Sequence, residues 1–130
     1  DEIISNPDNI YEIMDKNSKI TLSRYGHVQF FRRESYVNGG KENEDFISYG
    51  PEDCERAFRF FRLGYQCAHM DQFVYHLEHI RGKDSSHYNS FFSKNNELYE
   101  KIKVKNKKEL IEYYNLDETK LPKTEGVIIP

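Results

Sequence analysis

Residues 49–65 read Tyr-Gly-Pro-Glu-Asp-Cys-Glu-Arg-Ala-Phe-Arg-Phe-Phe-Arg-Leu-Gly-Tyr, and this stretch carries the clearest structural signals in the chain. Pro51 suits a first helical position, because its missing N–H would have had no partner there. Glu52 and Asp53 follow at the positive end of the helix dipole, and Gly64 fits the position just past the C-terminus. Between them Ala57, Phe58 and Phe61, with Cys54, are predicted as the buried stripe. Arg56, Arg59 and Arg62 are predicted as a solvated face.

Toward the N-terminus, residues 1–17 predict a short helix after an extended lead-in, with Ile10, Ile13 and Met14 at helical spacing. Ile20, Leu22 and 28–31 look like strand, interrupted by Tyr25-Gly26. Asn38-Gly39-Gly40 is a strong breaker, followed by a polar, acidic loop over 41–45. Toward the C-terminus, 72–80 predict a strand and 81–87 a polar loop. Helical patterning returns over 96–114, as two helices broken near 104–106. Residues 120–130 form a tail with two prolines, expected to be ordered only where something docks it.

The length of 130 residues fits one domain, with 1–116 as its body and 117–130 as the tail. With ten Tyr, nine Phe and no Trp, the core rests on few but large side chains. A net charge of -3 supplies no basic excess, which argues against nucleic acid as a partner. No apolar run approaches the roughly 18 residues of a membrane span. Two cysteines, Cys54 and Cys67, are too few for a disulfide framework, and reduced thiols in a cytosolic protein are expected. The start at Asp1 reads as a chain excised or processed from something longer, with upstream targeting signals left open.

Three clusters could carry chemistry. In Tyr49-Gly50-Pro51-Glu52-Asp53, two carboxylates stand in the first turn of a helix, and one could face a cleft and act as a base. Ordinary first-turn acids are the plain alternative. In His76-Leu77-Glu78-His79, imidazoles and a carboxylate could ligate a metal. In a regular strand, however, residues three apart point to opposite faces, so a shared metal needs the strand to end or bulge. Arg81-Gly82-Lys83-Asp84-Ser85-Ser86 suits a phosphate-contacting loop, or any surface turn. No Walker A loop, GxSxG, CxxC pair or dinucleotide fingerprint is present.

The order and spacing of these clusters, from Gly26 to Ser86, resemble the C-terminal part of the beta-1,4-galactosyltransferase-like family, whose bacterial members have the GT-A fold. The family pattern runs strand, "NGF"-like turn, Trp-Gly-x-Glu-Asp helix start, Leu-Gly turn, then a strand ending in His before Arg and Asp. Its counterparts are 28–31, Val37-Asn38-Gly39-Gly40, Tyr49-Gly50-Pro51-Glu52-Asp53, Arg62-Leu63-Gly64-Tyr65, and His76-Leu77-Glu78-His79-Ile80-Arg81. About half of the chain is covered.

The resemblance implies an inverting transfer of a sugar from a nucleotide-sugar donor to a carbohydrate acceptor. Asp53 would be the base for the acceptor hydroxyl, and Glu52, Tyr49 and Gly50 would contact the acceptor. His79 and His76 would hold a divalent metal, Mn or Mg, that neutralises the departing nucleotide diphosphate. Arg81 and Lys83 would lie in a loop closing over the donor. Tyr49 replaces the family's Trp, and Pro51 replaces a small residue. The Asp-x-Asp motif and the nucleotide-binding half that should precede this region are missing. The expectation is therefore an α+β domain, a small mixed sheet flanked by helices, forming the acceptor-side half of a GT-A fold and inactive alone. It would sit in a bacterial cytoplasm, with membrane association in the full-length protein and a homodimer as further options. A non-catalytic binding or accessory module sharing this fold and a metal-dependent hydrolase are the competing readings.

Overall fold

A computed structural model describes residues 9–19, 28–69, 74, 76–77 and 80–129. The expected strand residues Ile20 and Leu22, the Tyr25-Gly26 interruption, His79 and most of 72–80 lie outside them.

The described elements run α1 (Ile10–Asn17), β1 (Ser18–Lys19), α2 (Arg33–Asn38), α3 (Glu52–Leu63), β2 (Gln66–Ala68) and β3 (His76–Leu77). They continue with α4 (Phe92–Lys103), α5 (Lys107–Tyr113) and β4 (Val127–Ile129), and short 3-10 turns lie at Lys83–Ser85 and Glu118–Lys120. The class is α+β. Among the described residues the strands make two separate pairs rather than one mixed sheet. β1 runs antiparallel to β3, with Lys19 opposite His76. β2 runs parallel to β4, with Cys67 opposite Ile128.

α3 forms where expected, with Pro51 one position earlier than predicted, at the N-cap. Gly64 closes it at φ 102°, and the N–H groups of Gly64 and Tyr65 return to the carbonyls of Phe61 and Phe60 at 3.1 Å. Only glycine takes this left-handed conformation freely. A Cβ here would also run into the carbonyl of Thr124.

The buried face of α3 differs from the predicted one. Glu55, Arg59, Phe60 and Leu63 are buried, while Ala57, Phe58 and Phe61 are only half-buried. Arg59, expected in solvent, is fully buried. Its Nε donates to Glu55 Oε1 at 2.9 Å. Its two terminal nitrogens donate to the carbonyls of Gly39 and Lys41. The Tyr114 ring lies 4.3 Å from its guanidinium carbon, and the Tyr114 hydroxyl donates to Glu55 at 2.7 Å. A buried charge survives only when paired and hydrogen-bonded like this. Beside Glu55 and within the core, burial raises the Tyr114 phenol well above its ordinary range.

The core gathers Leu63 of α3, Ile102 of α4, Leu110 of α5 and Leu121 of the tail. The two C-terminal helices therefore help to build the interior instead of only covering it. Their break falls at 104–106 as predicted, and α5 opens on a capping box, Asn106 with Glu109. The tail is docked through buried Leu121 and through β4 on β2. Residues 28–31 keep the in-and-out alternation of a strand but pair with none of the described strands. This corrects the strand expected there: the Gln29 side chain anchors the segment to α3 instead.

Candidate functional site

The segment 28–31 and helix α2 face the N-terminal turns of α3 across an open cleft of about 490 Å³. Asp53 enters the cleft from the first turn of α3, with its side chain 38% exposed. Phe31 and Tyr36 supply aromatic wall, while Gln29, Glu42 and Arg56 supply polar groups. Arg33 stands on the same wall.

These polar groups are linked. Arg56 donates to the Asp53 carboxylate, to the Glu42 carboxylate and, at 2.6 Å, to Gln29 Oε1. Gln29 Nε2 donates at 3.0 Å to the Asp53 carbonyl, and the Tyr36 hydroxyl donates to Glu42 at 3.0 Å. Arg56 is thus no member of a solvated face. It fixes the carboxylate of Asp53 at the mouth of the cleft. Its spacing of three from Asp53 could have signalled the pair, whereas nothing local in sequence points to Gln29, Tyr36 or Glu42.

Glu52, one residue earlier, behaves differently. It does not line the cleft, and its Oε2 is buried with no hydrogen-bond partner. Burial pushes its carboxyl above the usual carboxylate range, against the lowering effect of the Glu52 and Gly50 N–H groups. Neighbouring Cys54 is likewise raised, by burial first and then by Asp53 and Glu52. Cys54 and Cys67 are both free thiols, as expected.

No family model, curated protein or solved structure matches this chain. What the site can do therefore rests on its own geometry.

Tyr49 and Gly50 precede Asp53 in the chain but do not line the cleft. The Tyr49 ring is exposed at 41% and lies nearly parallel to Phe92, with centroids 6.2 Å apart. Gly50 abuts Asn95, whose Nδ2 would stand 2.7 Å from any added Cβ. Buried Asn95 spans this turn, donating to the carbonyls of Ile47 and Tyr49 and accepting from the Ile47 N–H. The loop of Arg81 and Lys83 is brought to the same place. The Asp84 carbonyl accepts from the Tyr49 N–H at 3.2 Å and from the Ser48 hydroxyl. Arg81 is exposed, and Lys83 opens the 3-10 turn.

His76 sits half-buried in β3, opposite Lys19. Its expected partner His79 lies outside the described residues. Among the described residues no three His, Cys, Asp or Glu side chains converge. No described helix is long and apolar enough to cross a membrane.

Proposed function

We propose that the chain is the acceptor-side part of an inverting, nucleotide-sugar-dependent glycosyltransferase of the GT-A type, with Asp53 as the base. The observation that carries this reading is the position of Asp53: first turn of α3, partly exposed, on a cleft lined by aromatic rings and hydrogen-bonding side chains. Rings that cover a sugar's C–H face, beside carboxylates and amides that bond its hydroxyls, are the mix a carbohydrate pocket needs.

Asp53 would accept the proton of an acceptor hydroxyl as that oxygen attacks the anomeric carbon and the bond from that carbon to the nucleotide diphosphate breaks, the diphosphate leaving with the electron pair. Gln29 and Glu42 would orient the acceptor, and Arg56 would hold the base in line. The tie between the Asp84 carbonyl and Tyr49 supports a role for the Arg81–Lys83 loop beside the donor phosphates. A divalent cation, Mn or Mg, at His79 and His76 belongs to the same proposal. It predicts Mn-dependent paramagnetic broadening centred on His76.

The test is a titration of the isotope-labelled chain with a panel of mono- and disaccharides, read by amide shifts. Binding should move Gln29, Tyr36 and Asp53 together, and Asp53→Asn should weaken it with the melting temperature unchanged. A panel that leaves all three signals still would overturn the reading. One observation favours a second reading, a carbohydrate-binding module without turnover: the Asp53 carboxylate is occupied by Arg56. That module predicts the same shifts but undiminished function on Asp53→Asn in the natural full-length protein.

A further inference from the structure

Four rings form a continuous ledge beside the Asp53 turn. Tyr49 lies along Phe92 at 6.2 Å, the His87 ring meets Phe92 edge-on at 6.2 Å, and His87 meets Tyr88 at 4.0 Å. Tyr88 is 82% exposed, and His87 is exposed beside it. Leaving such rings in water forfeits the burial that aromatic side chains ordinarily gain.

The ledge is rigid from beneath. Asn89, nearly buried, donates to the carbonyls of Tyr49 at 2.9 Å and Ser86 at 2.6 Å. Its Oδ1 accepts from the Phe91 N–H at 2.9 Å. Asn95 ties down the 47–49 segment of the turn from the other side. Both asparagines spend their hydrogen bonds holding main chain, which fixes where the rings stand. Rings ordered before binding reduce the entropy a ligand must overcome.

We propose that this ledge is a second sugar subsite, so that the acceptor is an oligosaccharide chain and not a single sugar. The proposal rests on the carbohydrate reading of the Asp53 cleft. Pyranose rings would stack their C–H faces on Tyr88 and Tyr49, and the Asp84 carboxylate and the His87 ring would be available to their hydroxyls. Nucleobases also stack on exposed rings. The net charge of -3 disfavours a polyanion and favours a neutral glycan.

The experiment titrates the whole labelled chain with cellohexaose, a β-1,4-linked N-acetylglucosamine hexamer, the matching monosaccharides, and an eight-nucleotide oligothymidylate. At least one hexasaccharide should shift the His87 and Tyr88 amides and bind more tightly than its monosaccharide. Tyr88→Ala should weaken hexamer binding about three- to tenfold, the range for one aromatic stack, with the monosaccharide affinity and melting temperature unchanged. A ledge silent to both hexamers, or moved only by the oligothymidylate, would overturn the inference. If the Gln29 and Asp53 signals move while the ledge stays silent, the inference fails and the cleft reading stands. If the ledge moves while the cleft stays silent, the subsite stands and the cleft reading fails.

Discussion

Helix α3 carries three acids within its first turn, and its two faces treat them in opposite ways. At Glu55 the carboxylate is buried and saturated, held by Arg59 and by the Tyr114 hydroxyl. At Glu52 one oxygen is buried with no partner, and at Asp53 the carboxylate opens on a cleft. The first arrangement is what a fold needs from a buried charge. The Asp53 carboxylate is instead partly exposed on a cleft that a ligand can reach, which is where local rules are expected to give way to function.

The largest effect should come from breaking the saturated face. Arg59→Ala leaves Glu55 buried without its counter-charge and frees the carbonyls of Gly39 and Lys41, so a loss of about 3–5 kcal/mol is expected in urea unfolding. A loss below about 1 kcal/mol would mean that the pair is solvated, and the contrast between the two faces would collapse. Leu63→Ala, one turn further along the same face, should cost about 2–5 kcal/mol through the cavity it leaves among Ile102, Leu110 and Leu121. Arg56→Ala at the cleft face should cost no more than about 1 kcal/mol, because its partners are partly exposed. If Arg56→Ala destabilised as much as Arg59→Ala, the cleft network would be structural too.

The smallest effect concerns pH. The Glu52 carboxyl is raised in the folded state, mainly by burial. The folded chain therefore binds this proton more readily than the unfolded one. Stability from this group is greatest at low pH and declines as pH climbs from the ordinary carboxylate range through the raised value. Glu52→Gln should flatten that decline and modestly stabilise the protein at neutral pH, measured as melting temperature across pH 4–8. A steeper decline in the variant would show that the buried oxygen has a partner after all.

Much of this was legible in sequence, for identifiable reasons. Pro51, the acidic first turn and Gly64 act locally, so they marked the ends of α3 to within a residue. The break near 104–106 was equally local. The face of α3 was not legible, because hydrophobicity alone assigns Arg59 to water. The signal that could have corrected it is the Glu55, Arg59, Leu63 series, one ladder at helical spacing. The short helix Arg33–Asn38 has no buried residue to give it a stripe. The extended segment 28–31 has a strand's alternation but is held by the Gln29 side chain rather than by a ladder. Of Asp53, Glu52, Tyr49 and Gly50, all named from the sequence, Asp53 alone lines the cleft. Their partners Gln29, Glu42, Asn89 and Asn95 come from distant loops, and only the folded chain brings them together.

The most direct test of the cleft as a catalytic site is sugar transfer by the natural full-length protein, comparing wild type with Asp53→Asn and monitoring nucleotide diphosphate release. Loss of the base should lower kcat by about 10²–10⁴-fold with the melting temperature unchanged. Turnover equal to wild type, with the variant folded, would contradict the assignment of Asp53 and leave the cleft as a binding surface.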